Sequence, residues 1–410
     1  MISADEARNF VLYRLAPLAP VDLDLASALG CVAAARVSAR EPSPSFTNSA
    51  MDGFALRASD TAAGGARLRV IDSVFAGESS DVTVGTGEAA RIMTGAPLPL
   101  GADAVCPRED TAVVDGEVVI QRAVAVGDSV RHVGEDVRVG QVLVEPGDLV
   151  GPALLGALAA QGITSLAVRP TPRVGVMSTG NELADGESLA PGHIRDSNRP
   201  TLLASLRQSG FVAVDLGVVR DATADLADAF RQAVTRCDAV ISTGGVSAGD
   251  ADFVKVALAE LFGDAARSMQ VAIRPGKPFT YAYDEATKTP FFALAGNPVS
   301  TLVGFELFVR PALRRLGGHR VIDRPEWPMV LDCDLPRGRD AKVHYVHGVC
   351  RLADDGLHVE RVVRAGSHLL FGIAGANCLI VSPESDGMRA GDVVRAMILD
   401  HSSLVGLLPV

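Results

Sequence analysis

The sequence predicts a multidomain protein of α/β plus β class, organised around a doubly wound, mostly parallel sheet. Three observations carry that expectation. The chain has 410 residues, well beyond the size at which a single hydrophobic core stops growing. From residue 172 onward, β-rich runs alternate with amphipathic helical ones, the rhythm of parallel strands joined by crossover helices. On either side of that stretch, short apolar runs separated by Gly, Asp and Pro point to modules of short strands.

Taken in order, the first 40 residues read as helical, with Ser3 as N-cap and Glu6 completing a capping box. Pro42 and Pro44 then mark a turn or linker. Between residues 53 and 145 the runs 68–74, 89–94, 105–108 and 118–123 predict a β module. A helix is expected over 152–161, opened by Gly151-Pro152 and closed by Gly162. The strand 173–178 follows, then a helix at 200–208, with Pro200 in its first turn and Gly210 beyond its end. A strand over 211–219 leads to the clearest helix, where Leu226, Ala229, Phe230, Ala233 and Val234 recur at helical spacing. Next come a strand at 238–242, a Gly-rich loop, a helix over 252–262, a hairpin of 279–283 with 291–295, and a helix over 299–316. After Gly317-Gly318, short strands return at 329–334, 343–350, 357–363, 378–382 and 393–399, a small barrel or sandwich.

Composition narrows the partners. The formal net charge is −11 and no block of Lys or Arg occurs, so neither nucleic acid nor an anionic membrane is expected to bind. No apolar stretch reaches the length of a membrane span. The N-terminus lacks the basic and apolar regions of a secretory leader. Six scattered cysteines without a C-x-x-C pair fit a reduced, cytoplasmic enzyme.

Four loops follow strands of the predicted sheet and carry groups suited to an anionic ligand. Ser178-Thr179-Gly180-Asn181-Glu182 exposes backbone N–H groups and a rim carboxylate, although Glu182 serves equally well as a helix cap. The second loop, residues 242–252, joins Gly244, Gly245 and Ser247 in a concave set of donors suited to phosphate. Its Asp250 and Asp252 would repel a bare phosphate but could hold a hard divalent cation bridging to one; N-capping is the plainer alternative. Arg274-Pro275-Gly276-Lys277-Pro278 presents two cations on a rigid turn. Gly296-Asn297-Pro298-Val299-Ser300 opens a helix with amide and hydroxyl groups. Together the four point to a phosphate-bearing ligand.

These loops, with NSAMDGFA, RIMTGAPLPLGADAV, VGEDV, STGNEL, IRDSNRP, STGGVSAGDAD, RPGKP, GNPVS and the late GSHLL and ANCLI, resemble in content and order the molybdopterin molybdenumtransferases, the MoeA family. The animal relative of that family is the E domain of gephyrin. The resemblance runs along nearly the whole chain. It implies an elongated helical or linker domain (1–52 and 136–170), an inserted N-terminal β module (53–135), a molybdopterin-binding α/β domain (171–320) and a C-terminal β-barrel (321–410).

Carried over by position, the resemblance implies catalytic roles for Asp52, Thr94, Asp136, Glu182, Asp221 and Asp252. It implies ligand-binding roles for Gly244, Gly245, Ser247, Arg274, Lys277, Asn297, Pro298 and Ser300, with Ser367 a weaker candidate. Mg²⁺ would be held by Glu182 and Asp252, with Asp52 or Asp136, against the pyrophosphate of adenylylated molybdopterin. Molybdate would be the second substrate and AMP a product. A homodimer is implied, with each active site between the sheet domain of one subunit and the N-terminal modules of the other. A molybdopterin adenylyltransferase would be the enzyme that supplies the substrate. The chain departs from the family's usual LPGNP at Ala295 and from its usual Lys-Pro-Gly-Lys at Arg274, where a planar fork replaces a point charge. The alternatives are the adenylyltransferase itself, whose second loop looks like TGGTG followed by Arg-Asp, and a non-catalytic gephyrin-like scaffold. Tungstate in place of molybdate is not separated by any residue.

Overall fold

The computed structural model describes residues 1–78, 81–184, 187–245, 253–337, 340–362, 366, 369–383 and 387–400. Its contacts divide the chain into two units. One holds residues 1–34, 146–151 and 165–410; the other holds 35–145 and 152–164. Each unit spans more than one of the expected segments.

The first unit is built on a six-stranded sheet in the order Val212–Val219, Arg173–Thr179, Ala239–Thr243, Thr289–Leu294, Pro278–Asp284, Ala266–Gln270. The first four strands are mutually parallel, and Pro278–Asp284 runs antiparallel to its neighbours on both sides. Ala239–Thr243 and Thr289–Leu294 are buried along their whole length, as expected of strands covered on both faces. One face packs Val174, Val176, Ile241 and Phe292 against helices Asn198–Gln208 and Pro298–Gly304. The other packs Met177, Val240, Phe291 and Ala293 against Thr223–Ala233 and Phe253–Phe262. Helices on both faces of a mostly parallel sheet make the predicted doubly wound domain. Ala266–Gln270 was not anticipated from the sequence; it pairs antiparallel with the expected hairpin.

Two helical expectations are corrected. The helix expected over residues 1–40 occupies only Ala4–Tyr13, with its capping box formed. Pro17 and Pro20 cannot supply helix N–H donors, and Val21–Asp24 pairs instead with Ser165–Arg169. Ala7, Val11 and Leu15 pack into the sheet core with Phe305 and Phe308. The helix expected over 299–316 widens to a π turn at Phe305–Val309. Pro311 explains the widening, because it lacks the N–H that would bond the carbonyl of Leu307. Phe279 stacks on Phe308 at 4.6 Å, holding this segment to the sheet by about 1 kcal/mol beyond area burial.

After this helix the chain forms a closed five-stranded barrel. Val343–Ala353 pairs with both Gly356–Arg361 and Cys378–Ser382, and Glu326–Leu331 and Val393–Ile398 complete the ring. Its interior holds Met329, Leu331, Cys350, Val359, Cys378, Ile380, Val394 and Ala396. One pairing matters for the site: Ile273–Arg274, just before the Pro-Gly-Lys turn, runs beside Val343 and His344.

The second unit centres on a six-stranded sheet in the order Ala104–Pro107, Gly53–Leu56, Glu88–Ile92, Ala66–Val74, Glu117–Ile120, Thr111–Val114. Alternation puts Phe54, Leu56 and Cys106 on one face and Ala55, Ile92 and Val105 on the other, each with its own apolar cluster. Gly53 has no alternative here. A Cβ at this position would lie 2.0 Å from the carbonyl oxygen of Cys106 on the neighbouring strand.

Candidate functional site

In the first unit the backbone of three strand ends converges at the carboxyl edge of the sheet. Gly244 has φ +98°, and a Cβ there would lie 2.1 Å from the Thr179 carbonyl oxygen, so only glycine fits. Gly296 approaches Gly244 Cα to 3.6 Å, measured from where its own Cβ would be. Asn198 stitches these loops: its amide nitrogen donates to Thr243 Oγ1 at 2.8 Å and to the Gly296 carbonyl at 2.7 Å. Asp221 holds the first loop in a similar way. It accepts from the Thr179 hydroxyl and from the Asn181 amide at 3.4 Å, and its own N–H donates to Asn181 Oδ1 at 3.3 Å. Glu182 stands beyond it with its side chain exposed.

Beside this edge lies a cavity of about 610 Å³, lined by the Arg274–Lys277 turn, Asn297, Ser300 and the first part of strand Val343–Ala353. Gly276 has φ +96°, and a Cβ built there would lie 3.4 Å from the Ser300 carbonyl oxygen. Arg274 and Lys277 are exposed to the cavity and carry no ion pair among the described residues. Lys342 comes from the barrel, with Asp340 3.8 Å from its ammonium. Arg337, only 1% exposed, fixes the preceding loop by donating to the Ser382 carbonyl at 2.9 Å and the Asp340 carbonyl at 3.0 Å. No carboxylate lines this cavity among the described residues. His347 in its wall is pushed down to about 4 by burial and is neutral at pH 7. The arrangement suits an anion.

The second unit carries a different site. Ser49 accepts from the Met51 N–H at 3.3 Å and donates to the Met51 carbonyl at 2.6 Å, shaping the turn before Asp52. Asp52 Oδ1 accepts from the Thr94 N–H and the Thr94 hydroxyl, each at 2.7 Å. Those two bonds, with Arg108 and Arg91 nearby, hold its carboxyl below the usual carboxylate range. A cavity of about 830 Å³ opens over Asp52, Arg91 and Arg108. Asp136 belongs to this unit and is exposed; the Ser43 hydroxyl donates to it at 3.4 Å, and its N–H to the Ser43 carbonyl at 2.9 Å.

Comparison with known proteins decides the family. The family described as "MoeA N-terminal region (domain I and II)" matches residues 2–162, "Probable molybdopterin binding domain" matches 175–315, and "MoeA C-terminal region (domain IV)" matches 330–399. A molybdopterin molybdenumtransferase of Haemophilus influenzae is 34% identical over 407 residues, covering 98% of this chain and 99% of that protein. Molybdopterin molybdenumtransferase 2 of Mycobacterium tuberculosis is 38% identical over 354 residues, covering 83% and 86%. The chain belongs to the MoeA family. A solved molybdopterin biosynthesis MoeA protein from Pyrococcus horikosii shares the fold with a TM-score of 0.80 at 30% identity, covering 98% of this chain and 99% of that one. Membership makes this chain a transferase of molybdenum cofactor biosynthesis.

Within this MoeA chain the expected residues fall into three groups. Glu182, Asp221, Gly244, Gly245, Arg274, Lys277, Asn297, Pro298 and Ser300 lie on the sheet-end loops of the first unit. Asp52, Thr94 and Asp136 lie in the second, where Asp52 and Thr94 are bonded to one another and Asp136 is bonded to Ser43 instead. Ser247, Asp252 and Ser367 lie outside the described residues, as does Asp250. Among the described residues no three His, Cys, Asp or Glu side chains gather into a metal cluster. Sequence reasoning missed Asn198, Lys342 and His344. Asn198 stood inside the IRDSNRP segment and could have been singled out as an amide ahead of a helix. Nothing in the local sequence of the barrel strand indicated which turn it would meet.

Proposed function

We propose that this chain inserts molybdate into adenylylated molybdopterin with Mg²⁺-dependent release of AMP. The observation that carries the reading is the cavity in which Arg274, Lys277 and Lys342 converge beside Asn297 and Ser300, with no carboxylate in its lining among the described residues. Its volume falls within the ordinary range for small-molecule sites. Charged donors of this kind offset the negative charge of phosphates and of a tetrahedral oxyanion, which suits both substrates.

The residues take distinct roles. Gly244 and Gly245 let the chain turn tightly at the strand ends, leaving backbone N–H groups for a phosphate. Arg274, a planar fork, and Lys277, a point charge, hold anionic oxygens. Asp221 is a positioning residue that keeps the Glu182 loop in place. Asp52, kept ionised by Thr94, is available as a proton acceptor or as a hard oxygen ligand. Glu182 and Asp252 are proposed to hold Mg²⁺, with Asp52 or Asp136 as a further ligand. The fit rests on donor chemistry: Glu182 is an exposed carboxylate with no cation paired to it among the described residues. When bound, Mg²⁺ would supply positive charge against the phosphate that leaves. A homodimer whose active sites draw on both subunits, a cytoplasmic setting and an adenylyltransferase as the source of substrate belong to the same proposal. The described cysteines are all free thiols, which suits that setting.

The test is AMP release from the purified chain given adenylylated molybdopterin and Mg²⁺, with and without molybdate. Release that depends on molybdate supports the reading. Consumption of ATP with free molybdopterin, and no AMP release, would move the chain to the adenylyltransferase reaction.

A further inference from the structure

One side chain in the cationic cavity has no part in the reading above. His344 lines the cavity and is 14% exposed. Its Nε2 lies 2.9 Å from Asp340 Oδ1, which also accepts from Arg337 at 3.1 Å. Asp340 is thereby fixed as an ionised acceptor between Arg337 and Lys342. An ionised carboxylate can only accept, so the neutral ring carries its hydrogen on Nε2, and Nδ1 is the atom open to a second proton.

The strands place further groups around the ring. Arg274 is its partner across one edge of the strand and Ser382 its partner across the other. Paired residues project on the same face, so Arg274, His344 and Ser382 form a row across three strands. The Ser382 hydroxyl is buried without a hydrogen-bond partner. Lys342 lies two residues earlier, just ahead of the strand, and Lys277 and the neutral His347 line the same cavity. Every full charge around the ring except Asp340 is therefore positive among the described residues. Burial first, then Arg337 and Arg274, push His344 below its ordinary value, with Asp340 opposing them. The ring is neutral in the free pocket at neutral pH.

An oxyanion reverses the local field. We propose that a tetrahedral dianion entering this cavity brings one proton with it, taken from solvent by Nδ1 of His344, so that the imidazolium becomes a further cation of the site. No bond of the anion breaks in this step. Asp340 is the positioning residue: it fixes the tautomer and stabilises the imidazolium. The inference rests on the reading of the cavity as an oxyanion site. Affinity then rises as pH falls from the bound-state pKa toward the free-state one, and is level below the latter.

Isothermal titration of the full chain with sodium molybdate at pH 6.5, in two buffers of different ionisation enthalpy, counts the protons taken up. The wild-type chain is expected to take up protons on binding, seen as heats that differ between the two buffers, and His344→Gln none, while still binding about tenfold more weakly. Asp340→Asn should keep the uptake but move it to lower pH, a shift that a merely structural role would not produce. Equal heats in both buffers for the wild type, uptake unchanged in His344→Gln, or no binding at millimolar molybdate would each overturn the proposal. AMP release measured on the same preparation separates the two readings. Release without proton uptake sinks only the role of His344; proton-linked binding without release sinks only the reaction.

Discussion

The two units solve opposite electrostatic problems. The first gathers cations around a cavity with no lining carboxylate among the described residues, on a turn whose Gly276 takes a φ of +96°. The second isolates one carboxylate and keeps it ionised through two hydrogen bonds from a single threonine. The cationic site is assembled from two folds, since strand Ile273–Arg274 pairs with the start of barrel strand Val343–Ala353 and so sets His344, with Lys342 just ahead of it, beside the Arg274 turn. The acidic site needs only neighbouring strands of one sheet, Gly53–Leu56 and Glu88–Ile92, which place Asp52 beside Thr94. Charge that must be concentrated requires convergence of distant segments; charge that must be preserved requires only a well-placed donor.

The comparison breaks first at its cations. Replacing both Arg274 and Lys277 by Ala should lower the rate of AMP release by about 10³-fold with little change in melting temperature. A drop of the melting temperature alone would mean that these side chains are structural. Next comes Asp52→Asn, which keeps an oxygen acceptor for Thr94 but removes the charge. It should reduce the rate by about 10²-fold and leave the fold intact. Gly244→Ala tests the backbone instead: the clash with Thr179 and the strained φ should cost about 3 kcal/mol in urea unfolding. Asn198→Ala removes the stitch between two loops and should lower the rate by about tenfold, with a loss of about 1–2 kcal/mol. The smallest effect concerns Thr94→Val, which keeps the backbone donor and loses the hydroxyl. Asp52 is depressed in the native protein, so activity that depends on its ionised form is lost as pH falls through that depressed value. In Thr94→Val the acid limb of the pH–rate profile should move to higher pH, and an unmoved limb would remove Asp52 from the titration.

Much of this was legible in the residues themselves. The capping box was visible because Ser3 and Glu6 act within one turn, and both of its bonds form, at 2.7 and 3.1 Å. The sheet was visible because its strands are apolar on both faces and alternate with periodic helices. Gly244 was visible as a loop glycine, though not the carbonyl that demands it. What stayed hidden was pairing at a distance. Asn198 acts on Thr243 and Gly296, 45 and 98 positions away, and no local pattern names those partners. Lys342 and His344 read as ordinary residues at the start of a barrel strand until Ile273–Arg274 pairs with Val343 and His344. The early helix ends at Tyr13 because Pro17 and Pro20 outweigh the apolar content of the segment beyond it, and the π turn depends on Pro311 and the carbonyl four residues before it.

The central claim is tested most directly by single-turnover AMP release from adenylylated molybdopterin and Mg²⁺, comparing molybdate present with molybdate absent. The account predicts release that requires molybdate, and a product that reconstitutes a cofactor-free molybdoenzyme. Release at the same rate without molybdate, or none under either condition, would contradict it.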